Sequence, residues 1–213
     1  SRRASMKSPV FISNLDGKLE KFRAISTNTL TNDFCIAMHK GTLKDSICEH
    51  CYSWALLQGF RKNVAIALQR NSDLLSSRYL SDDELPTIKD SVFRFSAHGE
   101  LINKTHLYNL YRIVKKNPHC TFTLWTKKRA VIRRFFSQFP KLSNLILVYS
   151  NPRINNIMYD LPPFFDKVFN NVSPDKFIDQ QNCTGQKCKD CLLCYTHNNT
   201  TTIVEKVKNY GAG

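Results

Sequence analysis

The sequence predicts an α/β fold: a partial or small (β/α) barrel with a mainly parallel sheet and a cysteine-rich C-terminal loop. Three observations predict it. Short runs of apolar, β-branched and aromatic residues alternate with segments of helical period through the middle of the chain. These strand-like runs are too apolar to leave one face in water, which is the pattern of a parallel sheet covered by helices. Cysteines gather near both ends, Cys35, Cys48 and Cys51 early and Cys183, Cys188, Cys191 and Cys194 late. A fold that brings the ends together would bring those groups together.

Each element follows from local pattern. The apolar stretch FCIAM around Cys35 reads as a candidate first strand, from which Cys35 would reach the Cys48 loop. Charged residues and cysteines mix from about Thr42 to Ser53. Apolar residues then recur at Trp54, Leu57, Val64, Ala67, Leu68, Leu74 and Leu75, near helical period, with Gly59 as a break. Two helices are expected there. SVFRFSAHGEL reads as a buried strand running into a Gly-Glu turn, followed by a helix at Lys104 to Lys116. CTFTLWT is the next strand, Lys128 to Phe139 a basic amphipathic helix, and NLILVYSNP another strand. Beyond Pro152 the period fades; FDKVFNNVS reads as a short strand before the cysteine loop.

At 213 residues and 42% hydrophobic content the chain supports one domain with a substantial core, expected over residues 7–210. Residues 1–5 and 211–213 read as expression remnants, with Met6 starting the native chain. No apolar stretch approaches the roughly 18 residues of a membrane helix, and no leader pattern is present, so a soluble intracellular protein is expected. Eight cysteines in a chain with its own core and no secretion signal argue for free thiols or metal ligands rather than disulfides. A net charge of +14 attracts polyanions, and DNA or RNA is the natural partner. The same charge also arises when lysine and asparagine enrichment reflects AT-rich coding, because it is spread over the whole chain.

The strongest chemical signal is NCTGQKCKDCLLCYT. Its C-x4-C-x2-C-x2-C spacing aims several sulfurs at one centre. Zinc sites more often pair two C-x2-C knuckles across a longer loop, whereas three consecutive short gaps resemble the compressed runs of iron–sulfur proteins. An iron–sulfur cluster, [4Fe–4S] in type, is therefore expected, with zinc as the alternative. Cys48-Glu-His-Cys51-Tyr lies on a loop into a helix, where free backbone N–H groups favour thiolate. The two cysteine groups admit two clusters, one with an incomplete protein ligand set, or a single four-cysteine site. Cys120 alternates with apolar residues and reads as a small buried hydrophobe.

The segment Ser96 to Leu101 puts His98, Gly99 and Glu100 at a strand end, where glycine permits close approach and Glu100 can hold an ammonium group or a proton. The competing reading makes Glu100 the N-terminal charge of the next helix. Lys127, Lys128 and Arg153 lie at other strand ends and suit anions.

These residues together resemble the phage "gene product eighty-eight" family. The resemblance is carried by Cys35, Cys48-x-x-Cys51-Tyr52, Gly59-Phe60-Arg61, Arg70-Asn71, the Arg94 strand ending in Gly99-Glu100, Trp125-Thr126-Lys127, and the closing cysteine run, taken as its most specific part. It implies a viral protein of the host cytoplasm. A more distant resemblance to radical SAM enzymes rests on Cys48-x-x-Cys51-Tyr52 and on His98-Gly99-Glu100 as a degenerate GGE. The long gap from Cys35 to Cys48 and the histidine at 98 depart from that pattern. This resemblance implies S-adenosylmethionine beside an N-terminal cluster and makes the late cysteines an auxiliary site. A redox-active or radical cluster would take its substrate at the strand C-terminal ends, with Glu100 and Lys127 as the expected catalytic residues and His98 and Gly99 as cofactor-binding ones. The rival to a redox or radical enzyme is a basic nucleic-acid-binding protein with a structural metal.

Overall fold

Strands β2 to β7 lie side by side in chain order, all parallel, and β1 adds one antiparallel edge. The computed structural model describes residues 7–176 and 179–207; the expression remnants expected at 1–5 and 211–213 lie outside the described residues. The strands are β1 (Ser13–Asn14), β2 (Arg23–Ile25), β3 (Val92–Phe95), β4 (Thr121–Thr126), β5 (Leu145–Ile154), β6 (Lys167–Val172) and β7 (Thr202–Lys206). The helices are α1 (Asp33–His39), α2 (Tyr52–Gln58), α3 (Lys62–Ser77), α4 (Lys104–Lys116), α5 (Arg129–Phe136) and α6 (Cys188–Cys191). The α/β class and the mainly parallel sheet are as the sequence predicts.

Among the described residues the sheet does not close into a barrel. β1 and β7 are the two edges of one open sheet. Six parallel strands in unbroken order follow the strand sequence of a (β/α) barrel, but a barrel packed by its own side chains takes about eight. The stretch containing Cys35 is also not a strand. Asn32 accepts a hydrogen bond from the Cys35 N–H (3.0 Å) and so caps α1, which makes FCIAM helical.

An order without reversal, joined by right-handed crossovers, puts the connecting helices on the same face. The two cores reflect this. Phe93, Phe95, Phe122, Leu124, Leu145, Leu147 and Val168 pack with Leu75, Leu107, Leu110, Tyr111, Ile132 and Phe135 of α3, α4 and α5. Cys120 joins this core, fully buried. By the period-2 alternation of strands, Arg94, Thr123, Trp125, Ile146, Val148 and Phe169 point to the other face. There Trp125, Ile146 and Val148 meet Phe22 and Tyr195, with Leu192, Cys188 and Cys194 packed around them. The C-terminal cysteine segment therefore lies on the face that the helices leave uncovered.

Buried amides fix the connections. Asn109 accepts from the Leu80 N–H and donates to the Leu75 and Arg78 carbonyls. Asn117 accepts from the Ile88 N–H and donates to the Pro86 and Ile113 carbonyls. The long loop between α3 and β3 has little regular structure, and these two side chains of α4's face and C-cap replace the ladder bonds it lacks.

Candidate functional site

The first thiol group is built at the C-terminal ends of the parallel strands, where α/β folds place their chemistry. Cys35 sits in the first turn of α1, Cys48 in a 3-10 turn (Ile47–His50), and Cys51 at the N-cap of α2. The Cys48 loop is strapped from two sides. Ile154 N–H, at the end of β5, donates to the Asp45 carbonyl (2.9 Å), and Ser46 bridges Arg153. On the other side His39 Nδ1 donates to the Cys48 carbonyl (3.1 Å) while its ring stacks on Trp54 at 4.2 Å.

Cys35, Cys48, Cys51, Glu100 and Lys127 lie within electrostatic reach of one another. Burial raises the Cys35 and Cys51 thiol pKa values, and this outweighs the Trp54 and Ser53 backbone N–H groups that favour the Cys51 thiolate. Burial lowers the Lys127 pKa, but Cys48, Glu100, Cys51 and Cys35 together more than offset this and raise it. Lys127 Nζ also donates to Ser150 Oγ (2.8 Å) on β5.

Glu100 does not cap a helix; Asn103 takes that role for α4, accepting from the His106 N–H (2.9 Å). The Glu100 carboxylate accepts from the Leu101 N–H (2.7 Å), the Thr126 hydroxyl (2.5 Å) and the Lys127 N–H (2.8 Å). It thus ties the end of β3 to the end of β4. Gly99 has φ +75°, and a Cβ there would collide with Thr27 Oγ1 and stand 2.8 Å from the Thr27 carbonyl oxygen. The close approach that requires glycine is made by Thr27. His98 is buried, its Nδ1 shares a 2.6 Å hydrogen bond with Ser53 Oγ, and burial with Arg94 and Arg61 nearby lowers its pKa to about 4. It is neutral at physiological pH.

The second thiol group lines one cavity: Cys183, Cys188, Cys191 and Cys194, with Lys18, Gln186, Tyr195 and Ile203. Cys183 is held against β7 by its N–H bond to the Val204 carbonyl (3.0 Å). Cys188 and Cys191 open and close the single turn α6, which Leu192 ends at φ +54°. Tyr195 anchors the segment, stacking on Phe22 at 4.6 Å and meeting Trp125 at 5.3 Å. Buried Lys167 donates to Asn198 Oδ1 (3.0 Å) and the Thr200 carbonyl (2.8 Å) just beyond. Burial raises the pKa of Cys183 and Cys188 and pushes Cys194 up to about 12. Lys18 Nζ lies 2.6 Å from Cys183 Sγ and 3.2 Å from Glu205 Oε1.

All eight cysteines are free thiols. Among the described residues, no three His, Cys, Asp or Glu side chains already form a set able to hold one metal ion. The donor chemistry fits soft, thiolate-binding centres. A single zinc needs four sulfurs each about 2.3 Å from one point. Seven of the eight thiols gather in two groups, four and three, while Cys120 lies in the core, and the sequence-predicted ligands divide between the groups without mixing.

Sequence reasoning named none of three residues of this region as part of the site. Lys18 is far from both cysteine runs. Tyr195 reads as the end of a motif. Arg94, a charge inside the apolar strand VFRF, was a signal: its guanidinium stands 4.1 Å over the Trp125 ring and its Nη1 lies 3.4 Å from the Tyr195 hydroxyl.

The sequence model described as gene product 88 matches residues 18–173, well over half of the chain. The match includes Cys35, Cys48, Cys51, His98, Gly99, Glu100 and Lys127 but stops before the closing cysteine run, which is therefore not the most specific part of the resemblance. This match gives no support to the resemblance to radical SAM enzymes, and no curated protein or solved structure matches the chain. The chain belongs to the gene product 88 family.

Proposed function

We propose that this protein binds iron–sulfur clusters, [4Fe–4S] in type, through its two thiol groups and carries out redox or radical-type chemistry in the host cytoplasm, where thiols stay reduced. The observation that carries this reading is the grouping itself. Four thiols line one cavity beside Lys18, and three more surround Lys127 at the C-terminal ends of the parallel strands. Four thiols suit a fully ligated centre. Three suit a centre with one position left for a non-protein ligand, the arrangement that keeps a metal site reactive.

When bound, such clusters supply one-electron transfer. The chain's own residues do the rest. Lys18 and Lys127 set positive charge beside each thiol group, which offsets the negative charge that thiolate-ligated iron brings. Glu100 holds Lys127 in place through its backbone, and neutral His98 fixes the loop by its bond to Ser53. S-adenosylmethionine is the co-reactant this reading would take at the three-thiol centre.

Anaerobic purification tests the proposal. A brown protein with iron and acid-labile sulfide in equal amounts is expected. A colourless protein holding stoichiometric zinc overturns it, and failure to cleave S-adenosylmethionine when reduced would remove the radical-type role while leaving cluster binding.

One observation favours a second reading, a basic nucleic-acid-binding protein with a structural metal. α5 exposes Arg129, Arg133 and Arg134 and has no acidic residue in its first turn. On that reading binding to single- or double-stranded DNA falls steeply with added salt. No binding at low salt removes it.

A further inference from the structure

We infer that Arg94 and Thr123 form an oxyanion subsite on the sheet face opposite the connecting helices, which takes the carboxylate or phosphate group of a small molecule. Arg94 in β3 and Thr123 in β4 are register partners, so their side chains stand next to each other on that face. Both carry polar atoms that the fold buries and leaves unpaired: Arg94 Nε and Thr123 Oγ1 have no hydrogen-bond partner. Buried polar groups are paired as a rule, and two adjacent exceptions point to a missing partner common to both.

The rest of Arg94's surroundings does not supply that partner. Trp125 takes the flat face of the guanidinium at 4.1 Å, which leaves the in-plane N–H edge for an acceptor. The Tyr195 hydroxyl sits at 3.4 Å from Nη1, a long contact. Among the described residues no Asp or Glu forms an ion pair with Arg94. A covered guanidinium edge beside a hydroxyl matches the two-pronged recognition of carboxylate and phosphate. Arg94 is partly exposed as a residue while its Nε and Thr123 Oγ1 are covered, so an acidic group reaches them only where the covering side chains move aside.

Its position gives the subsite a purpose. Arg94 is within electrostatic reach of Tyr52, the residue after Cys51, and of Cys188 in the other thiol group. A molecule held there by an acidic group would lie between the two groups. The subsite shares that location with the proposed clusters but does not depend on them, so iron content is measured on the same samples.

The test is titration calorimetry of inorganic phosphate and of acetate into the anaerobically purified protein, with ionic strength held constant by chloride. The wild type is expected to bind one of the two, and which one identifies the class. R94K is expected to weaken binding about tenfold or more while keeping its iron, because lysine retains the charge and loses the planar edge. T123V, close in shape, is expected to weaken binding severalfold with an unchanged melting temperature. Absence of binding by both anions, or wild-type affinity in R94K, overturns the inference. Wild-type affinity in T123V likewise removes the shared-partner argument. Anion binding in a sample without iron would leave the subsite standing and the cluster proposal refuted.

Discussion

Gly99 and His106 show how single residues fix the ground on which the site stands. Gly99 combines a positive φ with a Cβ direction already filled by Thr27, so Gly99→Ala must strain the backbone and displace Thr27 together. A loss of about 2–5 kcal/mol is expected, read as a lower denaturation midpoint with unchanged slope. His106 is buried and accepts the Ile102 N–H at Nδ1 (3.2 Å); burial, then Lys128, lowers its pKa from 6.5 to about 3. A lowered histidine pKa means the unfolded chain binds the extra proton. The contribution is complete above about pH 6.5 and is lost progressively as pH falls toward the folded value. His98 adds to the same loss over a narrower window, down to about 4. Melting temperatures measured between neutral pH and about pH 4.5 should therefore fall, and His106→Asn should flatten that fall; an equal slope in the variant would show that other groups govern it. Asn71 acts at the same scale: fully buried, it pairs with both the N–H and the carbonyl of Phe11 and with the Ser26 carbonyl. An asparagine-rich composition that reads as a coding bias thus includes amides that hold the chain's connections.

At the scale of elements, α4 begins where the sequence places it, because Asn103 stands directly before a run of helical period. Asn103→Ala removes the bond to the His106 N–H and should cost about 1 kcal/mol in thermal stability, without changing anion or metal binding. A change in iron content with unchanged melting would contradict a purely capping role. The helices after Cys51, with their break at Gly59, and the strands β3, β4, β5 and β6 were legible for the same reason: each is long enough for its period to show. β2 was not, since three residues carry no alternation and its pairing with β3 comes from the sheet. β7 carried a signal in TTIVEK that the cysteine run beside it obscured. The Cys35 stretch went the other way, its apolar run suggesting a strand until the Asn32 cap decided for helix. Of the site, the cysteine grouping could be read from spacing. The internal bonding of Glu100 and the approach of Thr27 to Gly99 could not, because both depend on neighbours distant in sequence.

At the scale of the molecule, one topological fact organises the rest. Strands in chain order send the connecting helices to one face and leave the other to Tyr195 and the cysteine segment. The family match covers the sheet from near β2 through β6 and the three-thiol group, while β7 and the four-thiol group lie beyond it. Among the described residues no helix is long and apolar enough to cross a membrane. The central claim is that the two thiol groups are separate iron–sulfur sites, and replacing one group at a time tests it most directly. Iron and acid-labile sulfide per chain are measured anaerobically for the wild type, for Cys35→Ser with Cys48→Ser and Cys51→Ser, and for the four late cysteines replaced together. Each variant is expected to lose about four iron and four sulfide per chain and to keep the remainder. Zinc in place of iron, or iron content unchanged by either set of replacements, would contradict the claim.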